Sequence, residues 1–111
     1  MPHGVPESDW KLFRELREVA LERFSRRILA EVAELTQDDA RSAHDRYRDL
    51  WRLLRDRDED VARAFDDPRR SRLLLQLAAI YRLGLLEPDE FARFGAETRE
   101  TVESLSKEFH R

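Results

Sequence analysis

Hydrophobic side chains recur every three or four residues along most of the chain, which is the spacing of one face of an α-helix. From Ser8, a good N-cap residue, this spacing predicts a first helix over about residues 9–35. At 1.5 Å per residue such a helix is about 40 Å long. Its apolar positions are Trp10, Phe13, Leu16, Ala20, Phe24, Ile28, Val32 and Leu35.

Polar residues interrupt the pattern at positions 36–41, and Ser42 followed by Asp45 predicts the capped start of a second helix over about residues 43–66. The connection is short, so we expect the second helix to fold back on the first as an antiparallel hairpin. Arg57 and Asp58 interrupt its stripe, where we expect a polar layer or a bend. The apolar stripe consists of Tyr47, Leu50, Trp51, Leu54, Val61 and Phe65.

A third helix is predicted between Asp67, as its cap, and Gly84, just past its end, with Pro68 at its first position. It is apolar nearly all round over residues 73–81, so it should be central or covered by a partner. Leu86 and Phe91 have the spacing of a hydrophobic staple and predict a short fourth helix over about residues 88–94. The last helix, over about residues 97–109, is marked by Thr98, Val102, Leu105 and Phe109.

The predicted fold class is all-α. We expect a small helical bundle with a long N-terminal antiparallel helical hairpin and two or three shorter C-terminal helices. A chain of 111 residues is expected to form a single domain over residues 1–111, with residues 1–7 as a flexible N-terminus. Only 3 glycines and 4 prolines occur, so little interrupts the helices.

Composition narrows the chemistry further. The chain has no cysteine, which excludes disulfides, thiolate zinc sites and thiol nucleophiles and fits a reducing cytoplasm. No long apolar run or signal-peptide pattern occurs, so we expect a cytoplasmic protein without a membrane segment. Its 21 basic residues are nearly all arginine, a skew typical of a GC-rich bacterial genome. The net charge of −3 gives no overall attraction to a polyanion.

Arg69, Arg70 and Arg72 lie at the predicted start of the third helix, where the helix dipole disfavours cations. An anion should therefore be near, either an external phosphate or the carboxylates of the chain. Residues 56–72 hold six acids against five arginines. We therefore favour internal salt bridges and regard nucleic-acid binding as a weaker alternative.

No catalytic or metal-binding pattern emerges. Residues 56–67 resemble a calcium loop in their acids, but Val61 stands where the turn needs glycine and Arg63 where an apolar residue is usual. The three histidines, His3, His44 and His110, are scattered. We expect no enzyme, no metal and no cofactor.

The segment LAAIYRLGLLEPDEF, residues 77–91, resembles the short hairpin of small bacterial C-terminal oligomerisation modules of the SHOCT type. The resemblance covers about fifteen residues, and helix caps alone generate the same pattern. The long helices before it have no counterpart in those modules, so we assign the chain to no family.

Surplus aromatic surface favours a protein–protein interaction or self-association module, with a homodimer or another protein as partner. The candidate interface residues are Trp10, Phe13, Tyr47 and Trp51. The alternative is that these aromatic side chains fill the core of the hairpin. A second hypothesis is a small DNA-binding regulator that uses helices 3 and 4, although helix 4 is rich in acids.

Overall fold

The computed structural model describes residues 4–108, and throughout that range the regular structure is helical. The predicted all-α fold class is therefore confirmed. The helices are α1 (Glu7–Thr36), α2 (Ala43–Phe65), a 3-10 turn (Arg70–Arg72), α3 (Leu73–Arg82), α4 (Pro88–Phe91) and α5 (Ala96–Glu108). Phe109, predicted in the last helix, lies outside the described residues, as do residues 1–3 and 110–111.

Helices α1 and α2 run antiparallel. A guanidinium nitrogen of Arg17, early in α1, donates to the carbonyl oxygen of Phe65, the last residue of α2, at 2.6 Å. At the other end Arg46 donates to the carbonyl oxygen of Thr36 at 2.6 Å. The predicted cap of α2 is confirmed, because the Ser42 hydroxyl accepts from the backbone N–H of Asp45.

The core lies at one end of this hairpin, around α3. Leu73, Leu77 and Ile80 are each at most 1% exposed, which confirms the prediction that this helix is central. The first half of α1, the end of α2 and the C-terminal helices surround it. The other buried apolar residues are Leu12, Phe13, Leu16, Ala20, Phe24, Ala64, Phe65, Ala78, Ala79, Leu85, Phe91, Phe94 and Val102.

The chain reverses after α3 through Gly84, whose φ of 73° lies in the left-handed region. The N–H of Gly84 donates to the carbonyl of Tyr81, and the N–H of Leu85 donates to the carbonyl of Ile80. This pair of bonds is the Schellman motif, so the predicted helix end is confirmed. The turn directs Leu85 into the core, where it is 1% exposed.

Polar contacts of Asp9 and Arg23 tie the C-terminal helices to α1. The buried carboxylate of Asp9 accepts from the backbone N–H of Gly95 and the hydroxyl of Thr98, at the start of α5. Arg23 donates two hydrogen bonds to the carboxylate of Glu90, at 2.7 and 2.9 Å. The bonds from Arg23 hold the pKa of Glu90 below its ordinary value and raise the pKa of Arg23.

Two predicted N-caps were wrong. Helix α1 begins at Glu7, after Pro6, so Ser8 lies within its first turn. Asp67 does not cap α3, because its own backbone is left-handed (φ 49°) and a 3-10 turn intervenes before α3 begins at Leu73. A helix N-cap requires an extended backbone conformation, which Asp67 does not adopt.

Val5 and Glu7, in the segment predicted as a flexible N-terminus, contact the rest of the chain. Val5 packs against the core, and its carbonyl oxygen accepts two hydrogen bonds from Arg70, at 3.2 and 2.6 Å. Arg70 also pairs with Glu7. The segment just before α1 is therefore fixed against the 3-10 turn.

Candidate interaction surface

The molecule is elongated, 57 × 25 × 22 Å, because the far end of the hairpin extends beyond the core. No residue from 25 to 63 is buried, whereas Phe24 and Ala64 on either side of that range are. We call residues 25–63 the hairpin tip. The C-terminal helices do not bury it, so its apolar side chains are only partly covered by the opposite helix. The half-buried apolar residues of the tip are Ile28, Val32, Leu35, Leu50, Leu53 and Val61.

A stripe of large apolar side chains faces away from α1 on the tip part of α2. Tyr47, Trp51 and Leu54 are 65%, 58% and 44% exposed. Their spacing of i, i+4 and i+7 places them on one face of the helix. We call these three residues the α2 stripe.

Polar contacts with α1 fix which face of α2 is turned outward. Arg57 donates from two nitrogens to the carboxylate of Glu31, at 3.0 and 2.9 Å, and also pairs with Asp60. This is the polar layer that the sequence predicts at Arg57. The hydrogen bonds from Arg57 lower the pKa of Glu31 and raise that of Arg57. Arg46 and Arg57 both point to α1. Each residue of a helix is rotated by about 100° from the residue before it, so the α2 stripe, which lies one position after these arginines, points outward.

Charged and aromatic groups border the α2 stripe. The guanidinium of Arg55 lies over the Trp51 ring, 4.7 Å from its centroid. The His44 and Tyr47 rings lie 6.3 Å apart, so His44 belongs to the same face. Arg48 lines an open depression together with Tyr47 and Trp51. This surface therefore combines apolar contact area with cations and an imidazole at its edges.

Two of the four candidate interface residues lie elsewhere. Phe13 is 1% exposed and belongs to the core, so its prediction as an interface residue is corrected. Trp10 is half-buried, stacks on Phe13 with ring centroids 6.0 Å apart and packs against the core. The antiparallel hairpin places the start of α1 at the core end and the start of α2 at the tip, so these two aromatic pairs do not form one surface.

The sequence pattern missed Leu54 as an interface residue because it treats the apolar positions of α2 as one stripe. The structure separates them into two sets. Leu50 and Leu53 are half-buried, whereas Tyr47, Trp51 and Leu54 are exposed. The sequence does carry a signal of this second set, because positions 53 and 54 are both apolar and a single helical stripe does not need apolar residues at adjacent positions.

The arginines ahead of α3 contact acids of the chain, as the favoured interpretation predicts. Arg69 and Arg72 both pair with Asp67, at 3.0 and 3.4 Å, and Arg70 pairs with Glu7 at 2.6 Å. All of these side chains remain partly exposed. Each of the three cations therefore has a carboxylate of the chain beside it.

Helix α4 is short and presents little surface that could contact DNA. Helix α4 has only four residues, and its Phe91 is 8% exposed. A recognition helix must present several side chains to the major groove, which a single buried turn cannot do. The geometry therefore does not favour the DNA-binding hypothesis.

Comparison with protein-family models, with curated proteins and with solved structures found no match. Among residues 4–108 no group of three or more metal-ligating side chains comes together, and none of the helices there is both long and apolar enough to cross a membrane.

Proposed function

We propose that this protein is a protein–protein interaction module that self-associates through the α2 stripe. The observation that carries the proposal is the exposure of three large apolar side chains, Tyr47, Trp51 and Leu54, on a helix whose position is fixed by Glu31 and Arg57. Exposed contiguous apolar surface is typical of a binding surface.

Two copies of the hairpin tip can complete each other. In each copy α1 and α2 cover one another on one side only, and residues 25–63 include no buried side chain. Two antiparallel helix pairs that pack face to face make a four-helix bundle, in which each helix has a covered side. Self-association thus supplies the core that the tip lacks.

The expected affinity is moderate. Covering the exposed part of each stripe residue is worth about 1 kcal/mol, since full burial of a large apolar side chain gives about 1.5–3 kcal/mol. Six such side chains from two copies must offset the lost freedom of association and the ordering of arginine side chains. The six stripe side chains alone do not outweigh this cost, so neighbouring contacts of the hairpin tip must add to them, and we expect a dissociation constant of roughly 10–500 μM.

Light scattering after size exclusion tests this proposal, with the full chain injected at roughly 1 to 500 μM to span that range. We expect the mass to rise from monomer to dimer with concentration. The double variant Tyr47→Ser, Trp51→Ser should remain a monomer with unchanged helical circular dichroism, since both side chains are exposed in the single chain.

Leu75→Ser is the matched control, because Leu75 is also a large exposed side chain (56%) but lies on α3. It should dimerise like the wild type. A wild type that stays monomeric over the whole range, or a stripe variant that still dimerises, would overturn the proposal.

A further inference from the structure

We infer that the partner of the α2 stripe is the same stripe of a second copy, with the two α2 helices antiparallel and Trp51 at the two-fold axis. This inference rests on the proposed function and specifies the partner face. The side chains of α2 around Trp51 are complementary to the same side chains of a second α2 that runs in the opposite direction.

The exposed face of α2 extends two helical turns to each side of Trp51. His44 lies seven residues before Trp51 and Asp58 lies seven residues after it, about 10 Å away in each direction along the axis. Both are exposed, and the His44 ring is in contact with Tyr47 of the stripe. In an antiparallel pair centred on Trp51, His44 of one copy therefore meets Asp58 of the other.

In this arrangement His44 and Tyr47 each meet a group that attracts them. An imidazole N–H of His44 can donate to the carboxylate of Asp58. Tyr47 meets Arg55, whose guanidinium already lies on an aromatic ring within its own chain.

Leu54 in turn meets Arg48, which lines the open depression beside Tyr47 and Trp51. The aliphatic part of an arginine side chain packs well on leucine while its charged end stays in water.

The parallel arrangement joins like with like. Asp58 would then face Asp58, and Arg55 would face Arg55 of the second copy. Like charges that are brought together at an interface oppose association. A two-fold axis across antiparallel helices is also the usual symmetry of a homodimer, in which the same patch serves both copies.

Other partners fit this surface less well. An acidic peptide or a single-stranded nucleic acid would find Arg48 and Arg55 but would also face Asp58 on the same stretch of helix. A basic partner would be attracted by Asp58 but repelled by Arg48 and Arg55. A partner face satisfies this surface when it carries an acceptor near the start of α2 and a donor near Asp58. The same face of a second α2 that runs in the opposite direction meets this requirement.

Cross-linking of single cysteines tests the arrangement, and the natural chain has no cysteine to interfere. His44→Cys and Asp58→Cys chains are treated with a short bifunctional maleimide, each alone and then mixed. We expect a covalent dimer mainly from the mixture, because residue 44 faces residue 58 and lies about 20 Å along the axis from the other residue 44. Adding Trp51→Ser to both chains should abolish it.

Each other outcome separates the inference from the proposed function. Strong cross-linking of each single variant with itself would indicate parallel helices. A dimer that depends on the stripe but does not cross-link at these positions would indicate that another face makes the contact. Either result overturns the inference and leaves self-association through the stripe intact. A dimer that survives Trp51→Ser would overturn both.

Charge exchange gives a second measurement. Asp58→Arg alone should weaken the dimer several-fold, because His44 of the other copy then loses the carboxylate that accepts its hydrogen bond and faces a cation instead. The double variant His44→Asp, Asp58→Arg reverses the pair and should restore the affinity. A double variant weaker than Asp58→Arg would contradict the antiparallel pairing.

Discussion

Asp9, in the first turn of α1, accepts a 2.6 Å hydrogen bond from the hydroxyl of Thr98 in the first turn of α5, and both residues are buried. The same carboxylate accepts from the backbone N–H of Gly95. A residue of the first helix thus serves as the N-terminal cap of the last. A carboxylate in this place is also favoured by the positive end of the α5 dipole.

Asp9→Ala should destabilise the protein by about 2 kcal/mol, because the Thr98 hydroxyl and the Gly95 N–H lose their acceptor in a buried place. Urea unfolding followed by circular dichroism measures the change. Asp39→Ala is the control, since the Asp39 side chain is 98% exposed, and it should stay within about 0.5 kcal/mol of the wild type. Equal stability of the two variants would contradict the capping role.

Gly84→Val should cost about 1 kcal/mol or more, because a φ of 73° is unfavourable for a β-branched residue. Apart from the adjacent residues, no atom lies within 4 Å of the position that a Cβ would take, so the cost comes from the local backbone conformation and not from packing against the rest of the fold. Thermal unfolding measures it.

Gly84→Asn is the matched control, because asparagine tolerates the left-handed region better than other residues. It should be less destabilising than Gly84→Val. If both substitutions left the midpoint unchanged, the turn would not require this conformation.

Glu90→Gln should reduce stability at pH 7 by about 1 kcal/mol, a modest value because Arg23 and Glu90 are both partly exposed. The pKa of Glu90 is lowered in the folded chain by its bonds from Arg23, so its contribution is complete above the ordinary value of 4.5 and is lost as the pH falls through the lowered value. The variant should therefore lose less stability than the wild type below about pH 4.5.

Denaturant unfolding at a series of pH values measures this difference. Arg23→Gln should flatten the acid limb in the same way, and the double variant should cost less than the sum of the two single variants. An acid limb as steep in Glu90→Gln as in the wild type would contradict the assignment.

Replacement of Arg69, Arg70 and Arg72 by alanine should lower stability and leave nucleic-acid binding as weak as in the wild type. Arg70 holds Val5 and Glu7, and the other two arginines pair with Asp67. Phosphate contacts would make binding strong at low salt and steeply salt-dependent. A fluorescence titration with duplex DNA and structured RNA at about 50 mM salt measures it.

Tight, salt-sensitive binding that the triple variant loses would show that these arginines bind phosphate. Arg82→Ala serves as a control for the loss of one positive charge, since Arg82 is an exposed arginine at the end of α3.

The helices and several of their ends could be predicted from the sequence because their signals are local. Ser42 and Gly84 act through their own backbone geometry and their neighbours within six residues, so each marks its helix end without knowledge of the fold. Asp67 failed as a signal because its conformation depends on the turn between α2 and α3 and not on its type alone.

The candidate surface was less predictable because exposure depends on what covers a side chain. Phe13 and Trp51 are similar members of apolar stripes in the sequence, yet one is 1% and the other 58% exposed. The difference arises because the C-terminal helices pack at the start of α1 and leave the start of α2 uncovered. Asp9 shows the same limit, since its partners lie 86 and 89 residues away in the chain.

The unequal distribution of buried side chains along the hairpin also sets how the chain opens. Amide protons of α3 are enclosed by the core and should exchange with solvent only when the whole molecule unfolds. Amide protons between Phe24 and Ala64 belong to the part of the hairpin that has no buried side chains, so they should exchange through local fraying that begins at the loop near Ser42 and moves toward Phe24. Local stability therefore falls along the 57 Å long axis from the core to the hairpin tip. A second copy bound at the tip would slow amide exchange most there, because the tip is the least stable part of the single chain.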